Sequence, residues 1–161
     1  MKKTANIFIV HDKKVLLFHR DNKPSIPDPD RWGFVGGEVE KGETFLEGLK
    51  REIKEEIDLK IENPIRLGKT IISGWGENVF YFAKISSEKV KKIKLGNEGQ
   101  EVKFFSFEEI GKIKLTEGLS WYFNNFNSGF KKLIEEGEVN KLALGFNKED
   151  KLFVNLSDMR Q

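Results

Sequence analysis

Gly36-Gly37-Glu38-Val39-Glu40-Lys41-Gly42-Glu43 runs directly into Thr44–Ile57, a segment that carries Arg51-Glu52-Ile53-Lys54-Glu55-Glu56. Phe45, Leu49, Ile53 and Ile57 recur every fourth residue, so the spacing predicts a helix with one apolar stripe. Thr44 can cap its start beside acidic Glu43, and Pro64 lies beyond its end. Residues three and four apart are neighbours on a helix, so Glu52 adjoins both Glu55 and Glu56. At about 100° per residue the three carboxylates fall within an arc of roughly 100°. Gly48 lies in the same arc one turn earlier and is expected to leave room for a ligand to approach the backbone.

Like charges at these spacings weaken a helix by some tenths of a kcal/mol each. A divalent cation resolves the conflict, and hard oxygen ligands in a loose cluster suit Mg²⁺ or Mn²⁺. The planar fork of Arg51 can orient a carboxylate or bind a phosphate. Taken alone, a Glu-x-x-Glu-Glu run fits a solvated helix face screened by Lys50 and Lys54 better than a metal site.

The flanking chain reads as strands and short helices. Ile7–Val10 and Val15–Phe18 form a hairpin about His11-Asp12-Lys13-Lys14. Residues 21–31 hold Pro24, Pro27 and Pro29 and form a long loop. Gly33–Gly37 is a short strand entering a tight turn. Ile65–Ser73 and Val79–Ile85 are strand-like runs separated by Gly74-Trp75-Gly76. Lys89, Lys91, Lys92 and Lys94 form a basic surface. Val102–Phe105 reads as a strand, and Ser106-Phe107-Glu108-Glu109 fits a capping box for a short helix. Leu119–Phe126 and Phe130–Glu136 read as helices. Leu142–Phe146 and Leu152–Leu156 flank Asn147-Lys148-Glu149-Asp150 as a second hairpin. Strands alternating with helices argue for a mixed α/β domain.

The 161 residues suit one domain, and 14 Phe with three Trp supply a core. Lys plus Arg is 28 against 26 Asp plus Glu, a balance that argues against a protein that coats nucleic acid. The absence of Cys excludes disulfides, thiolate metal sites and a cysteine nucleophile. Two histidines, His11 and His19, are too few for a His-based zinc site. No apolar run approaches the roughly 18 residues of a membrane span. Lys2-Lys3 followed by Ile7–Val10 is too short for a signal peptide, so a cytoplasmic protein is expected.

From Gly37 the chain reads Gly, five residues, Glu43, seven residues, Arg51-Glu52-Ile53-Lys54-Glu55-Glu56-Ile57-Asp58-Leu59. This resembles the Nudix box, G-x5-E-x7-R-E-U-x-E-E-x-G-U with U aliphatic, and the element order resembles the Nudix family over roughly residues 4–126. The resemblance implies an α/β/α sandwich around a mixed β-sheet, with the extra C-terminal helix and hairpin added to it. The expected division is a Nudix domain over 1–128 and an extension over 129–161 packed on it. The chemistry implied is hydrolysis of the pyrophosphate linkage of a nucleotide, with Mg²⁺ (or Mn²⁺) held by Glu52, Glu55, Glu56 and the Gly36 carbonyl. Glu52 is also implied as a candidate to orient or deprotonate water, Arg51 and Glu43 as braces, and Gly37 as a structural position. Two residues depart from the pattern: Asp58 stands at the late glycine and Val35 where the family often has Pro.

Asn97-Glu98-Gly99-Gln100 resembles the loop of MutT-type nucleoside triphosphate pyrophosphatases that carries another catalytic glutamate, which here is Glu98, implied as a further metal ligand as well. Arg20 matches a position near the nucleotide and Phe34 one that faces the base, while Phe80 or Phe82 could stack from a later strand. No base-reading Asn is evident near Leu115-Thr116-Glu117. The leading expectation is therefore a nucleoside triphosphate cleaved to monophosphate and pyrophosphate, by a monomer or homodimer. ADP-ribose or another sugar nucleotide is the alternative substrate, and a non-catalytic nucleotide-sensing module the alternative class.

Overall fold

A computed structural model describes residues 1–160. Strands β1 (Lys2–His11) and β2 (Lys14–His19) form the first hairpin, with Val10 opposite Val15. Asp12 and Lys13 at its tip both have positive φ, 48° and 60°, which matches a two-residue turn to the twist of the strands. The proline loop then leads to β3 (Trp32–Gly33) and β4 (Val35–Glu38). Helix α1 covers Phe45–Ile57. Strands β5 (Ile65–Ser73) and β6 (Gly76–Lys84) pair antiparallel, and α2 (Ser87–Lys91) and β7 (Glu101–Phe105) follow. Helices α3 (Phe107–Ile110), α4 (Glu117–Asn125) and α5 (Asn127–Glu136) precede β8 (Lys151–Asn155) and α6 (Leu156–Met159).

The strands make one mixed sheet, ordered β3-β2-β1-β6-β5-β8, with β4 also on β1 and β7 on β2. β1 is central: its end at Val10 pairs with β2, while Thr4–Ile7 pairs with β4. β1–β6 and β5–β8 are parallel and the other pairs antiparallel. Side chains alternate across a strand, so each face collects its own core. Ala5, Ile7, Ile9, Val35, Val79 and Tyr81 pack with Leu49, Ile53 and Ile57 of α1. Phe8, Val10, Leu67, Phe80 and Phe82 pack with Leu119 and Tyr122 of α4 and Phe130, Leu133 and Ile134 of α5. This is the α/β/α sandwich expected from the box.

The tail differs from its sequence reading. Leu142–Phe146 is not a strand, and among the described residues no C-terminal hairpin forms. Asn140 accepts the Ala143 N–H through its side chain at 3.0 Å, Leu144 N–H bonds to Asn140 O at 3.1 Å and Gly145 turns at φ 94°. This coil buries Leu144 and Phe146, whose alternation mimics a strand. Phe146 lies over Gly68, where a Cβ would come within 2.5 Å of its ring. β8 forms alone and joins the sheet in parallel on β5, with Thr70 opposite Leu152. The 128/129 position falls in the first turn of α5, whose Phe130 packs against Phe8 with ring centroids 5.1 Å apart. No described helix is long and apolar enough to cross a membrane.

Candidate active site

The first four N–H groups of a helix lack intrahelical partners. At α1 the Thr44 hydroxyl accepts the Glu47 N–H at 3.1 Å, and the Glu47 carboxylate accepts the Thr44 N–H at 2.9 Å. Glu43 just before it accepts the Glu40 N–H at 2.7 Å, closing the loop. Arg51 then ties that loop to the helix. Its Nε and Nη2 donate to both oxygens of Glu43 at 2.9 and 3.0 Å, and Nη2 also donates to Glu38 O at 2.9 Å. Nη1 reaches Glu52 at 3.0 Å and Glu55 at 3.4 Å. The Arg51 guanidinium holds Glu43 below the usual carboxylate range. Gly48 does not open the backbone to a ligand, as its position in the arc suggested. A Cβ there would meet Val39 at 3.1 Å and Glu43 at 3.3 Å, so the glycine lets the loop lie on the helix.

The two box glycines seat the acids. At Gly37 a Cβ would stand 2.7–3.0 Å from the Glu52 carboxyl atoms, so the missing side chain is what lets Glu52 lie against β4. At Gly36, with φ 135°, a Cβ would strike Ala5 O at 2.2 Å, and its N–H donates to Glu56 at 2.8 Å. Burial raises the pKa of Glu56 to about 8, with the charges of Glu52 and Glu98 adding to the rise. Burial likewise raises Glu52, opposed by Arg51 and reinforced by Glu55 and Glu98. Among the described residues no three carboxylate or imidazole side chains converge as a finished metal cage. Glu52 and Glu55 are drawn to Arg51, and Glu56 to the Gly36 N–H. The donor set nevertheless fits a hard cation: buried acids that repel one another are relieved by a divalent ion placed among them.

Glu98 reaches this neighbourhood through the other end of α1. The last carbonyls of a helix also lack partners. Here Ile57 O accepts the Lys94 N–H and Glu56 O the Gly96 N–H, both at 3.0 Å. A Cβ on Gly96 would come within 1.9 Å of Glu55 O, so the approach requires glycine. Beyond Glu98, the Gly99 N–H donates to Asp21 at 3.2 Å and the Gln100 side chain to Arg20 O at 2.8 Å and Asp30 at 2.8 Å. Asp58 ends the helix in the left-handed region at φ 51°, its N–H bonding Lys54 O and its carboxylate paired with the Lys54 ammonium. Its departure from glycine is thereby accommodated, while Val35 is fully buried under α1.

A cavity of about 640 Å³ opens from Glu56, Gly36 and Gly37 across the α4 side of the sheet. Arg20 lines it, with its Nε donating to Pro27 O at 2.9 Å, and lowers the Glu56 pKa electrostatically. Phe34 also lines it, edge-on to Phe8 and Phe80. Phe80 forms part of the floor but is 2% exposed. Phe82, two residues along the same face, is buried in the core and does not line the cavity, so the structure does not bring it to the other candidates. The sequence reading passed over Thr4, Asn6, Asn78, Leu156, Met159 and Arg160, which all line the space. The signal for the first two was present: Lys2, Thr4, Asn6, Phe8 and Val10 share a face that changes from polar to apolar half-way along β1.

Residues 1–124 match the NUDIX domain family model. The chain belongs to the Nudix family. The MutT protein from Methanosarcina mazei Go1 has a similar structure, with TM-score 0.66 and 23% identity over 81% of this chain and 96% of that one. A NUDIX hydrolase from Nitrosomonas europaea superposes with TM-score 0.68 and 19% identity, over 96% of this chain and 78% of that one. The m7GpppN-mRNA hydrolase of Saccharomyces cerevisiae is 27% identical over 124 residues, which are 75% of this chain but only 12% of that protein. This chain thus spans a small part of the curated relative it matches.

Proposed function

We propose that the enzyme uses Mg²⁺ or Mn²⁺ to hydrolyse a nucleoside triphosphate to the monophosphate and pyrophosphate. One observation carries this reading: the carboxylates of α1 and the Glu98 loop are tied together by backbone bonds at the C-terminal end of α1, beside a cavity that holds Arg20 and Phe34. Acids from two elements supply cation ligands and a proton acceptor from different directions, as in-line attack at phosphorus requires. Glu52, Glu55, Glu56 and the Gly36 carbonyl would hold the cation, which when bound neutralises the charge developing on the phosphates.

The chain's own residues do the remaining work. Arg51 and Glu43 hold Glu52 and the loop in place. Glu98 takes a proton from the attacking water as its oxygen bonds to phosphorus, and the phosphorus–oxygen bond to the leaving pyrophosphate breaks. Arg20 meets the phosphates beside Glu56, and Phe34 lies along the base.

The test is a panel of nucleoside triphosphates, ADP-ribose and dinucleotides, assayed with and without Mg²⁺ for the phosphorus product released. Pyrophosphate from triphosphates only is the expected result. Preferred cleavage of ADP-ribose would move the reading to sugar nucleotides. Tight nucleotide binding with no product from any of them would make the chain a sensing module.

A further inference from the structure

Three polar residues stand together where the cavity floor meets the aromatic core. Thr4 and Asn6 lie on β1, and Asn78 lies beside them on β6. Asn78 is only 5% exposed. Burying an amide without partners costs free energy, so its surroundings decide what it does. Its Oδ1 accepts the Thr4 hydroxyl at 2.7 Å and the Asn6 amide at 2.6 Å. Its Nδ2 has no partner among the described residues, yet no described buried side-chain nitrogen or oxygen is left sealed without one. Two N–H donors of Asn78 therefore open on the cavity it lines.

The same three side chains support a second arrangement. An amide turned end for end keeps its shape and exchanges donor for acceptor. If Asn78 and Asn6 both turn, the Asn78 N–H groups donate to Thr4 Oγ1 and to Asn6 Oδ1. The Thr4 hydroxyl then donates to Glu77 O, which already lies 3.5 Å away. Every bond lost is replaced, and Asn78 presents its carbonyl oxygen to the cavity instead of its N–H groups. A single fixed donor would reject a ligand amine, whereas this trio can meet either a keto or an amino group.

Position supports a base as the ligand. Gly36, at the phosphate end, is paired with Asn6, and β6 is the next strand across. The residue across from Gly36 and Asn6 on β6 is Phe80, so Asn78 lies two strands across and two residues along. At roughly 5 Å per strand and 3.4 Å per residue it stands about 12 Å from Gly36, on the base side of a nucleotide whose phosphates are anchored there. Ile72, Trp75, Phe80 and Tyr122 line the same part of the space and offer apolar walls to a heterocycle.

We infer that Asn78, backed by Thr4 and Asn6, reads the edge of the nucleobase and accepts either a keto or an amino group there. This rests on the nucleotide reading of the site, and it is tested by binding rather than turnover. GMP, AMP and ribose 5-phosphate are titrated calorimetrically into the wild type, Asn78→Leu and Asn78→Asp. The wild type is expected to bind GMP and AMP within about tenfold of each other. Asn78→Leu should weaken both by about tenfold or more and leave ribose 5-phosphate unchanged, since a removed partner strands a polar group of the ligand. Asn78→Asp, which carries only acceptors when ionised, should retain AMP, whose exocyclic amine donates. In the wild type, the Asn78 side-chain amide signal should shift in NMR with both nucleotides and not with ribose 5-phosphate, a readout that needs no variant to fold. Discrimination beyond tenfold, an amide signal that ignores GMP and AMP, or equal loss of ribose 5-phosphate in Asn78→Leu overturns the inference. A protein that binds both monophosphates as described but cleaves neither GTP nor ATP refutes the hydrolase reading alone.

Discussion

The face of the sheet under α4 and α5 has two halves of opposite character. At one end Phe8 and Val10 on β1 meet Phe80 and Phe82 on β6 and Phe130 on α5 in a dry core. At the other, Thr4 and Asn6 on β1 meet Asn78 on β6, and Thr70 on β5 pairs with the Tyr122 hydroxyl. The strands are the same, and so is the side-chain direction. What changes is the cover: α5 closes one half, and the other opens as the cavity. The lesson is that a strand's alternation reports which side a residue faces, whereas the packed helix decides whether that side is core or site.

The largest expected effect lies at the acids of the open half. Glu56→Gln should lower turnover by about 10³-fold, within the usual range for a positioned charged group. The same change should stabilise the metal-free protein as pH rises. Folded Glu56 keeps its proton up to about pH 8, whereas an unfolded glutamate loses it near its ordinary value. The native state then binds more protons, so its stability falls as pH climbs from about 5 to 8. Thermal melts of the metal-free protein across that window should show this fall in the wild type and a flatter line in Glu56→Gln. Parallel lines would mean that Glu56 is not the buried acid described.

Glu98→Gln should cost about 10²-fold in turnover with little change in nucleotide affinity. Gly96→Ala, which places a methyl against Glu55 O, should reproduce much of that loss by displacing the loop. A full rate in Gly96→Ala would show that the loop's seat on α1 is unimportant.

In the closed half, Phe130→Ala should remove about 3–5 kcal/mol of stability, measured by urea unfolding, because it opens a cavity beside Phe8 and Leu133. A chain ending at Ser128 should lose more of its cooperativity than a surface tail would, since it lacks most of α5. If that chain unfolds with wild-type cooperativity, the extension is a separate cover and the 1–128 division stands as first drawn. The smallest effect is expected at the cavity rim. Arg160 pairs with Glu117 at 3.1 Å in an exposed setting, so Arg160→Ala should change stability by less than about 1 kcal/mol.

Much of the fold was legible because its signals are local. The fourfold repeat in α1, the turn at Asp12-Lys13 and the capping box at Ser106 each depend on residues a few positions apart. The box carboxylates belong to the same class, since one helix carries three of them with Arg51 just ahead of the first. Beyond that range the sequence was silent or misleading. The alternation of Leu142, Leu144 and Phe146 reads as a strand, yet Gly145 and Asn140 coil it so that Phe146 can occupy the space above Gly68. The basic run at Lys89–Lys94 gave no hint that Lys94 and Gly96 would cap the end of α1. Nor could any spacing bring Thr4 and Asn6 to Asn78, more than seventy residues away. By itself the sequence determined the acidic helix, its glycine-rich approach and the chemistry they suit, because short-range geometry follows from residue order. Only the tertiary structure decided which loop completes the acids, where the tail joins the sheet and which amides face the cavity, because those depend on strand pairing between distant segments and on which helix covers each part of the sheet.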